Sequence, residues 1–120
     1  MTKFKRGDIV LVLFPDSNLQ TAKRRPVLIV QADELGTRLK QVIVAMVTSN
    51  LAREGHPSRV LVERQTTAGQ QSGLIADSVI MTDNLATIST AAIDRTIGIW
   101  PDMAAVEIAL CHTFGISQNP

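Results

Sequence analysis

The stretch Lys23-Arg24-Arg25-Pro26-Val27-Leu28-Ile29-Val30 sets three cations directly before a short apolar run. Four consecutive aliphatic residues are typical of a buried strand. Pro26 fixes its own φ and biases Arg25 toward an extended backbone, so the guanidinium is held on a stiff element at the strand entrance. A guanidinium can donate two hydrogen bonds to one phosphate. The stretch therefore predicts a strand with an anion pocket at its start.

Similar apolar runs recur along the chain and predict further short strands. They are rich in Val, Ile and Leu, too short for helices, and separated by polar or Gly-containing segments. The spacing favours a small antiparallel barrel or a strongly curved sheet. The predicted strands are 9–14, 27–30, 42–47, 60–62, 73–75, 79–81, 86–88 and 96–100.

The end of the chain has a different periodicity. Pro101 and Asp102 precede a run, 103–114, whose apolar residues recur at helical spacing. Pro suits the first turn of a helix, Asp suits the positive end of the helix dipole, and Gly115 is placed to end the helix. We expect one C-terminal helix that covers the sheet, and a single mainly β (α+β) domain over residues 1–120.

Composition narrows the class of protein. The 120 residues are 45% hydrophobic, enough for one modest core. Cys111 is the single cysteine, so an internal disulfide is excluded, and His56 and His112 do not have the spacing of metal ligands. The sequence shows neither a leader pattern nor a long apolar stretch. We expect a cytoplasmic, soluble protein that needs no metal or other cofactor and does not enter a membrane.

Charge is distributed unevenly although the formal net charge is only +1. Residues 1–60 contain ten Lys or Arg and five Asp or Glu, whereas residues 61–120 contain two and six. The basic half is where a polyanion would bind. Two solvated faces of opposite sign are the simpler alternative.

Two polar loops, 16–25 and 48–59, are either sites of binding and catalysis or plain surface connections.

Five motifs in order resemble the MazF/PemK-like toxins of type II toxin–antitoxin systems. They are Gly7-Asp8-Ile9-Val10-Leu11-Val12, Phe14-Pro15, Arg25-Pro26-Val27-Leu28-Ile29-Val30, Val47-Thr48-Ser49 and Thr87-Ile88. The resemblance implies an SH3-like barrel with a C-terminal helix, assembled as a homodimer. It also implies a metal-independent endoribonuclease that cuts single-stranded RNA such as mRNA, and a small acidic antitoxin as partner.

The resemblance assigns the catalytic roles to Arg25 and Thr48. Cleavage needs the ribose 2′-oxygen to attack the adjacent phosphorus, a group that stabilises the phosphorane, and a proton for the 5′-oxygen. Arg25 would hold the phosphorane oxygens, and Thr48 would bind the phosphate or orient the attacking hydroxyl. The products would be a 2′,3′-cyclic phosphate and a 5′-hydroxyl, and DNA would not be cut.

The sequence departs from the family pattern at three positions, one of which is Leu19, where some relatives have a His. Many relatives have a Glu where this chain has Gln20, and a neutral amide cannot act as a general base. Some relatives use an Arg and an Asp just before the Thr-Ile motif. The Asp corresponds to Asp83, which can also be an ordinary turn residue, but the Arg corresponds to Met81.

Further polar residues are candidates for RNA contact, each with an ordinary structural alternative. Arg25 can instead pair with Asp8 or Asp16, and Thr48 can simply end its strand. With 3% aromatic residues, recognition should depend on phosphate contacts and hydrogen bonds more than on stacking. The RNA-binding candidates are Gln20, Lys23, Arg24, Ser49, Arg53, His56 and Asp83.

Two other functions remain open from the sequence. Phe114-Gly115-Ile116 has some likeness to the C-terminus through which CcdB-type toxins bind DNA gyrase. Alternatively, Gln20 and Met81 fit a barrel module that binds RNA or protein without cleaving it. RNA binding without cleavage would favour the second alternative.

Overall fold

A computed structural model describes residues 3–15 and 18–117. The described residues form one six-stranded sheet in the order β4-β5-β3-β2-β1-β6, and every pairing is antiparallel. The mainly β architecture with a C-terminal helix is confirmed. The elements are β1 (Asp8–Pro15), β2 (Ala22–Ile29), β3 (Gln41–Thr48), β4 (Arg59–Val62), α1 (Thr67–Gln71), β5 (Ser78–Ser89), β6 (Ile93–Ile99) and α2 (Met103–Phe114), with 3₁₀ turns at Leu51–Arg53 and Thr90–Ala92.

Both faces of the sheet bury apolar side chains, because alternate residues of each strand point to opposite sides. One face packs against α2, and we call it the helix face. The other we call the front face. The helix-face core contains Ile9, Leu28, Ala45, Val47, Val62, Leu74, Ile80, Trp100 and Val106. The front-face core contains Val10, Val12, Val27, Ile29, Val42, Val44 and Ile88.

Helix α2 has the predicted bounds, and its two ends show why. The Asp102 side chain accepts a hydrogen bond from the Ala105 amide at 3.2 Å, which caps the first turn. Gly115 has φ 67°, and the amides of Gly115 and Ile116 donate to the carbonyls of His112 and Cys111. These two bonds are the Schellman pattern that ends a helix at glycine.

The turn after α1 closes the space between the two ends of the curved sheet. The segment after α1, which follows edge strand β4, lies against edge strand β6. A Cβ added to Gly98 would stand 2.3 Å from the Ser72 carbonyl carbon, and one added to Gly73 would stand 2.0 Å from the Ile97 carbonyl oxygen. Only glycine permits this approach.

Several element boundaries differ from the sequence-based expectations. The strand predicted at 73–75 is wrong, because Gly73 has φ +73° and lies in the turn after α1, a helix the sequence did not reveal. The pieces 79–81 and 86–88 belong to one strand, β5. Strand β2 begins at Ala22, so the three cations lie within the strand and not in a loop before it.

No helix within residues 3–15 and 18–117 is long and apolar enough to cross a membrane.

Candidate active site

Arg25 and Thr48 lie at the same end of the β2–β3 pair. The register pairs Val27 with Met46, Leu28 with Ala45 and Ile29 with Val44. Arg25 is two residues before Val27, and Thr48 is two residues after Met46. The two residues therefore lie equally far beyond the last pair of this ladder, at the same end of the two strands.

The two side chains also belong to the same face of the sheet. Residues separated by an even number of positions in a strand point to the same face. Arg25 is two residues from Val27 and Thr48 is four residues from Val44, and both valines belong to the front-face core, so Arg25 and Thr48 lie on the front face. The Thr48 Oγ1 accepts a hydrogen bond from the Asn50 amide at 3.1 Å. An accepting hydroxyl keeps its own hydrogen for a second partner. The arrangement thus offers one guanidinium and one hydroxyl donor at the end of two adjacent strands.

The neighbouring cations of β2 divide between the two faces. Lys23 pairs in register with Phe14, and it is two residues from Arg25, so it lies on the same front face. Arg24 is adjacent to both and points to the opposite face, where its Nε donates to Asp94 Oδ2 at 2.9 Å. The structure brings Lys23 toward Arg25 and directs Arg24 to the other side of the sheet. The RNA-binding role of Arg24 stays a prediction.

Asp83 lies in a bulge of β5 and binds Arg59. The β3–β5 ladder pairs Ala45 with Leu85 and Met46 with Met81, so residues 82–84 have no partner on β3. The Arg59 guanidinium makes two bonds to Asp83, Nε to Oδ1 at 3.3 Å and Nη2 to Oδ2 at 2.8 Å. The hydrogen bonds from Arg59 lower the pKa of the Asp83 carboxyl. The pair is therefore a fixed carboxylate–guanidinium unit.

Arg59 is a partner of the candidate site residue Asp83 that the sequence did not single out. It pairs in register with Met81, the position at which some relatives have the Arg. Although that Arg is absent from β5, the neighbouring strand supplies a guanidinium to Asp83. A signal was present: Arg59 directly precedes Val60-Leu61-Val62, as Arg25-Pro26 precedes the apolar run of β2.

The loop between β3 and β4 carries Ser49, Arg53 and His56, whose side chains are exposed. Arg59 Nη1 donates to the Arg53 carbonyl at 3.1 Å, which ties this loop to the Arg59–Asp83 pair. The His56 Nδ1 accepts from the Ser58 amide at 3.0 Å, so the neutral ring has its hydrogen on Nε2. The structure thus brings the Arg53 backbone to the Arg59–Asp83 pair and His56 within electrostatic reach of Asp83.

Gln20 is an exposed residue in the turn between β1 and β2. Its amide donates to Asn18 Oδ1 at 2.9 Å, and the preceding Leu19 has φ 60°. This is an Asx-type turn.

Of the two acids considered as partners of Arg25, Asp8 lies at the far end of β1 and accepts from the Lys5 amide at 3.0 Å. Asp16 lies outside the described residues.

Other features of the described chain lie apart from this site. A cavity of about 730 Å³ lies at the opposite end of the β2–β3 pair, where Ile29, Leu39 and Val42 are among its lining residues. None of the predicted site residues lines it. Residues 3–15 and 18–117 contain no cluster of three or more His, Cys, Asp or Glu side chains that could hold a metal ion.

Comparison with known proteins agrees with the motifs and the fold. The family model of PemK-like, MazF-like toxins of type II toxin–antitoxin systems matches residues 5–114. Endoribonuclease MazF2 of Mycobacterium bovis and endoribonuclease MazF6 of Mycobacterium tuberculosis are each 37% identical over 90 residues, 74% of this chain and 75% of theirs.

Solved structures show the same architecture. The Mycobacterium tuberculosis toxin MazF-mt6 superposes with a TM-score of 0.70 at 26% identity, over 92% of this chain and 98% of that one. A mycobacterial endoribonuclease in complex with its cognate antitoxin gives 0.73 at 18% identity, over 97% and 99%. The match over residues 5–114, together with the 37% identity, shows that this chain belongs to the PemK-like, MazF-like toxins of type II toxin–antitoxin systems.

Proposed function

We propose that this chain is an endoribonuclease that cleaves single-stranded RNA without a metal ion. The observation that carries the proposal is the position of Arg25 and Thr48, at the same end and on the same face of the β2–β3 pair. The endoribonucleases MazF2 and MazF6, at 37% identity, support the same activity.

The reaction is an in-line transesterification. The ribose 2′-oxygen forms a bond to the adjacent phosphorus, the bond from phosphorus to the 5′-oxygen breaks, and a 2′,3′-cyclic phosphate remains. The 2′-hydroxyl loses its proton to a base, and the departing 5′-oxygen gains one. Negative charge accumulates on the phosphorane oxygens between these events. The Arg25 guanidinium can stabilise that charge, because Pro26 holds its backbone extended in the strand and the side chain needs little reorganisation during the reaction.

Thr48 contributes a hydroxyl with a defined direction. Because the Asn50 amide donates to Thr48 Oγ1, the hydroxyl hydrogen is available for a phosphate oxygen. Asp83 is a weaker candidate for the base. Its lowered pKa favours the ionised form and reduces its affinity for a proton at neutral pH. We therefore assign catalysis to Arg25 and Thr48 and leave Asp83 a binding role.

The surrounding basic and polar residues form the RNA-binding surface in this proposal. Lys23 lies on the face of Arg25, and the β3–β4 loop carries Ser49, Arg53 and His56. A basic surface attracts the phosphate backbone. We propose the same surface as the target of an acidic antitoxin, in a homodimer located in the cytoplasm. The related mycobacterial endoribonuclease solved with its cognate antitoxin supports this partner class.

The decisive experiment compares the parent with Arg25→Ala on mixed-sequence RNA in EDTA. We expect the parent alone to cleave, leaving 5′-hydroxyl and 2′,3′-cyclic phosphate ends. Cleavage by both proteins would reject the role of Arg25. Binding of RNA without cleavage by either would replace the nuclease with the RNA-binding module, for which Gln20 in place of a carboxylate is the favouring observation.

The CcdB-type alternative has less support. The match to the PemK-like, MazF-like family covers residues 5–114. In addition, Gly115 and Ile116 are used to end α2 through hydrogen bonds to His112 and Cys111. The likeness of Phe114-Gly115-Ile116 to the gyrase-binding tail is thus accounted for by helix termination.

A further inference from the structure

We propose that Met46, Met81, Arg59 and Asp83 form a nucleobase subsite beside Thr48, which takes a base with an exocyclic amino group in preference to uracil. The inference rests on the proposed ribonuclease function and adds to it the chemistry of one recognised base.

The floor of the subsite is a pair of methionines. Met46 and Met81 are cross-strand partners, and Arg59 pairs with Met81 from the other side, so the three side chains form a row on the front face. Both methionines are half-buried; Met46 packs against the front-face core, whereas Met81 belongs to neither core cluster of the described residues. Polarizable thioethers make favourable contacts with aromatic rings. A base can therefore lie on this floor although no aromatic side chain is present in the row.

The floor lies one short step from the proposed catalytic groups. Thr48 follows Met46 by two residues on β3 and points to the same face. Two residues of a strand rise by about 7 Å. That distance is comparable with one nucleotide step in an extended RNA strand. A phosphate held at Thr48 therefore leaves an adjacent base within reach of the two methionines.

The bulge in β5 opens the sheet at this point. The three residues 82–84 leave the β3 ladder immediately after Met81. Bulges re-aim side chains and are common beside active sites. Here the bulge turns the Asp83 carboxylate toward Arg59 at the edge of the methionine floor.

The Arg59–Asp83 pair supplies the polar edge of the subsite. The Asp83 carboxyl is ionised at neutral pH, since its ordinary pKa is 3.8 and the bonds from Arg59 lower it further, so its oxygens only accept hydrogen bonds. Each carboxylate oxygen has more than one lone-pair site, so acceptance from Arg59 leaves capacity for a ligand. The guanidinium also offsets a charge that would otherwise repel RNA phosphates.

A carboxylate acceptor discriminates between bases. The amino group of cytosine donates to carboxylates, and those of adenine and guanine present the same kind of donor. Uracil has no amino group, and its N3–H lies between two carbonyl oxygens that a carboxylate repels. The subsite therefore favours an amino-bearing base over uracil.

The test measures binding separately from cleavage. Short 2′-O-methyl oligocytidine and oligouridine of equal length cannot undergo 2′-oxygen attack, and their affinities can be compared by fluorescence anisotropy. We expect the parent to bind the oligocytidine about tenfold more tightly, as one good base contact allows. In Asp83→Asn the preference should vanish, since an amide can both accept and donate. The matched control is Asp94→Asn, which breaks the Arg24–Asp94 pair on the other side of the sheet and should keep the preference.

Each outcome decides the proposal. Equal affinity of the parent for the two oligonucleotides, or an unchanged preference in Asp83→Asn, would overturn the subsite while leaving the nuclease intact. A preference that depends on Asp83 in a protein that does not cleave unmodified RNA would support the subsite and reject the nuclease. Met81→Ala should lower the affinity for both oligonucleotides about threefold to tenfold and leave the ratio of the two affinities unchanged. Unaltered affinities in Met81→Ala would overturn the methionine floor.

Discussion

Arg59 and Asp83 are 24 residues apart in sequence and share two hydrogen bonds, at 3.3 and 2.8 Å. Arg59 also donates to the Arg53 carbonyl at 3.1 Å. One guanidinium thus connects the start of β4, the β3–β4 loop and the bulge of β5. Because such bidentate pairs have a fixed geometry, the loop that carries His56 is held in a defined position relative to Asp83.

Arg25→Ala should reduce RNA cleavage by at least about a hundredfold, the typical loss when one donor to a developing anion is removed. Arg25→Lys should recover little, since one ammonium cannot reproduce the two-donor geometry of a guanidinium. Initial rates on a labelled RNA measure both variants, and circular dichroism confirms folding. Full activity in folded Arg25→Ala would remove Arg25 from the mechanism.

Thr48→Val should lower kcat by about tenfold to a hundredfold and change KM little, because the hydroxyl acts mainly on the transition state. Valine keeps the β-branched shape that suits the end of β3. Thr48→Ser keeps the hydroxyl and is the matched control, for which most of the activity should remain. Equal rates for the Val and Ser variants would show that the hydroxyl has no catalytic role.

Cleavage should persist in EDTA and require a 2′-hydroxyl at the scissile position. The proposed charge stabiliser is Arg25, and the proposed nucleophile belongs to the RNA itself. A chimaeric oligonucleotide with one 2′-deoxy nucleotide at the cleavage position, compared with all-RNA, tests the second requirement. Loss of activity in EDTA that magnesium restores, or cleavage of the 2′-deoxy substrate, would contradict this mechanism.

The Arg59–Asp83 pair should make the free energy of unfolding depend on pH in the acidic range. Arg59 lowers the pKa of Asp83 below the ordinary value of 3.8, so the folded protein binds this proton less readily than the unfolded chain. The stabilising contribution is therefore complete above pH 3.8 and is lost as pH falls through the lowered pKa. The Tm of the parent should exceed that of Asp83→Asn at neutral pH, and the difference should shrink below pH 3.8. A constant difference across this range would exclude the linkage.

Gly98→Ala should destabilise the fold by about 1–3 kcal/mol, the usual range for overpacking. The added Cβ would lie 2.3 Å from the Ser72 carbonyl, where the segment after α1 meets β6. Backbone cannot move aside as a flexible side chain can. Urea unfolding measures the effect as a lower midpoint. An unchanged midpoint would show that the contact between this segment and β6 is dispensable.

Local signals explain which elements the sequence predicted well. Helix α2 was predicted with its observed bounds, because Asp102 and Gly115 cap it through their own side chain and backbone. Helix α1 was missed, since five residues that include Gly69 carry little helical periodicity. The false strand at 73–75 has the apolar composition of a strand, but Gly73 is required for the close contact with Ile97.

The sequence by itself determined the family motifs, the extended backbone at Arg25 and the strand-end position of Thr48. Each of these follows from neighbours in the chain, namely Pro26 and the apolar runs. Only the tertiary structure decided that Arg59 binds Asp83, that the two methionines are adjacent, and that Arg24 pairs with Asp94. The physical reason is that strand register and bulges are set by packing across the sheet, and no local pattern specifies them.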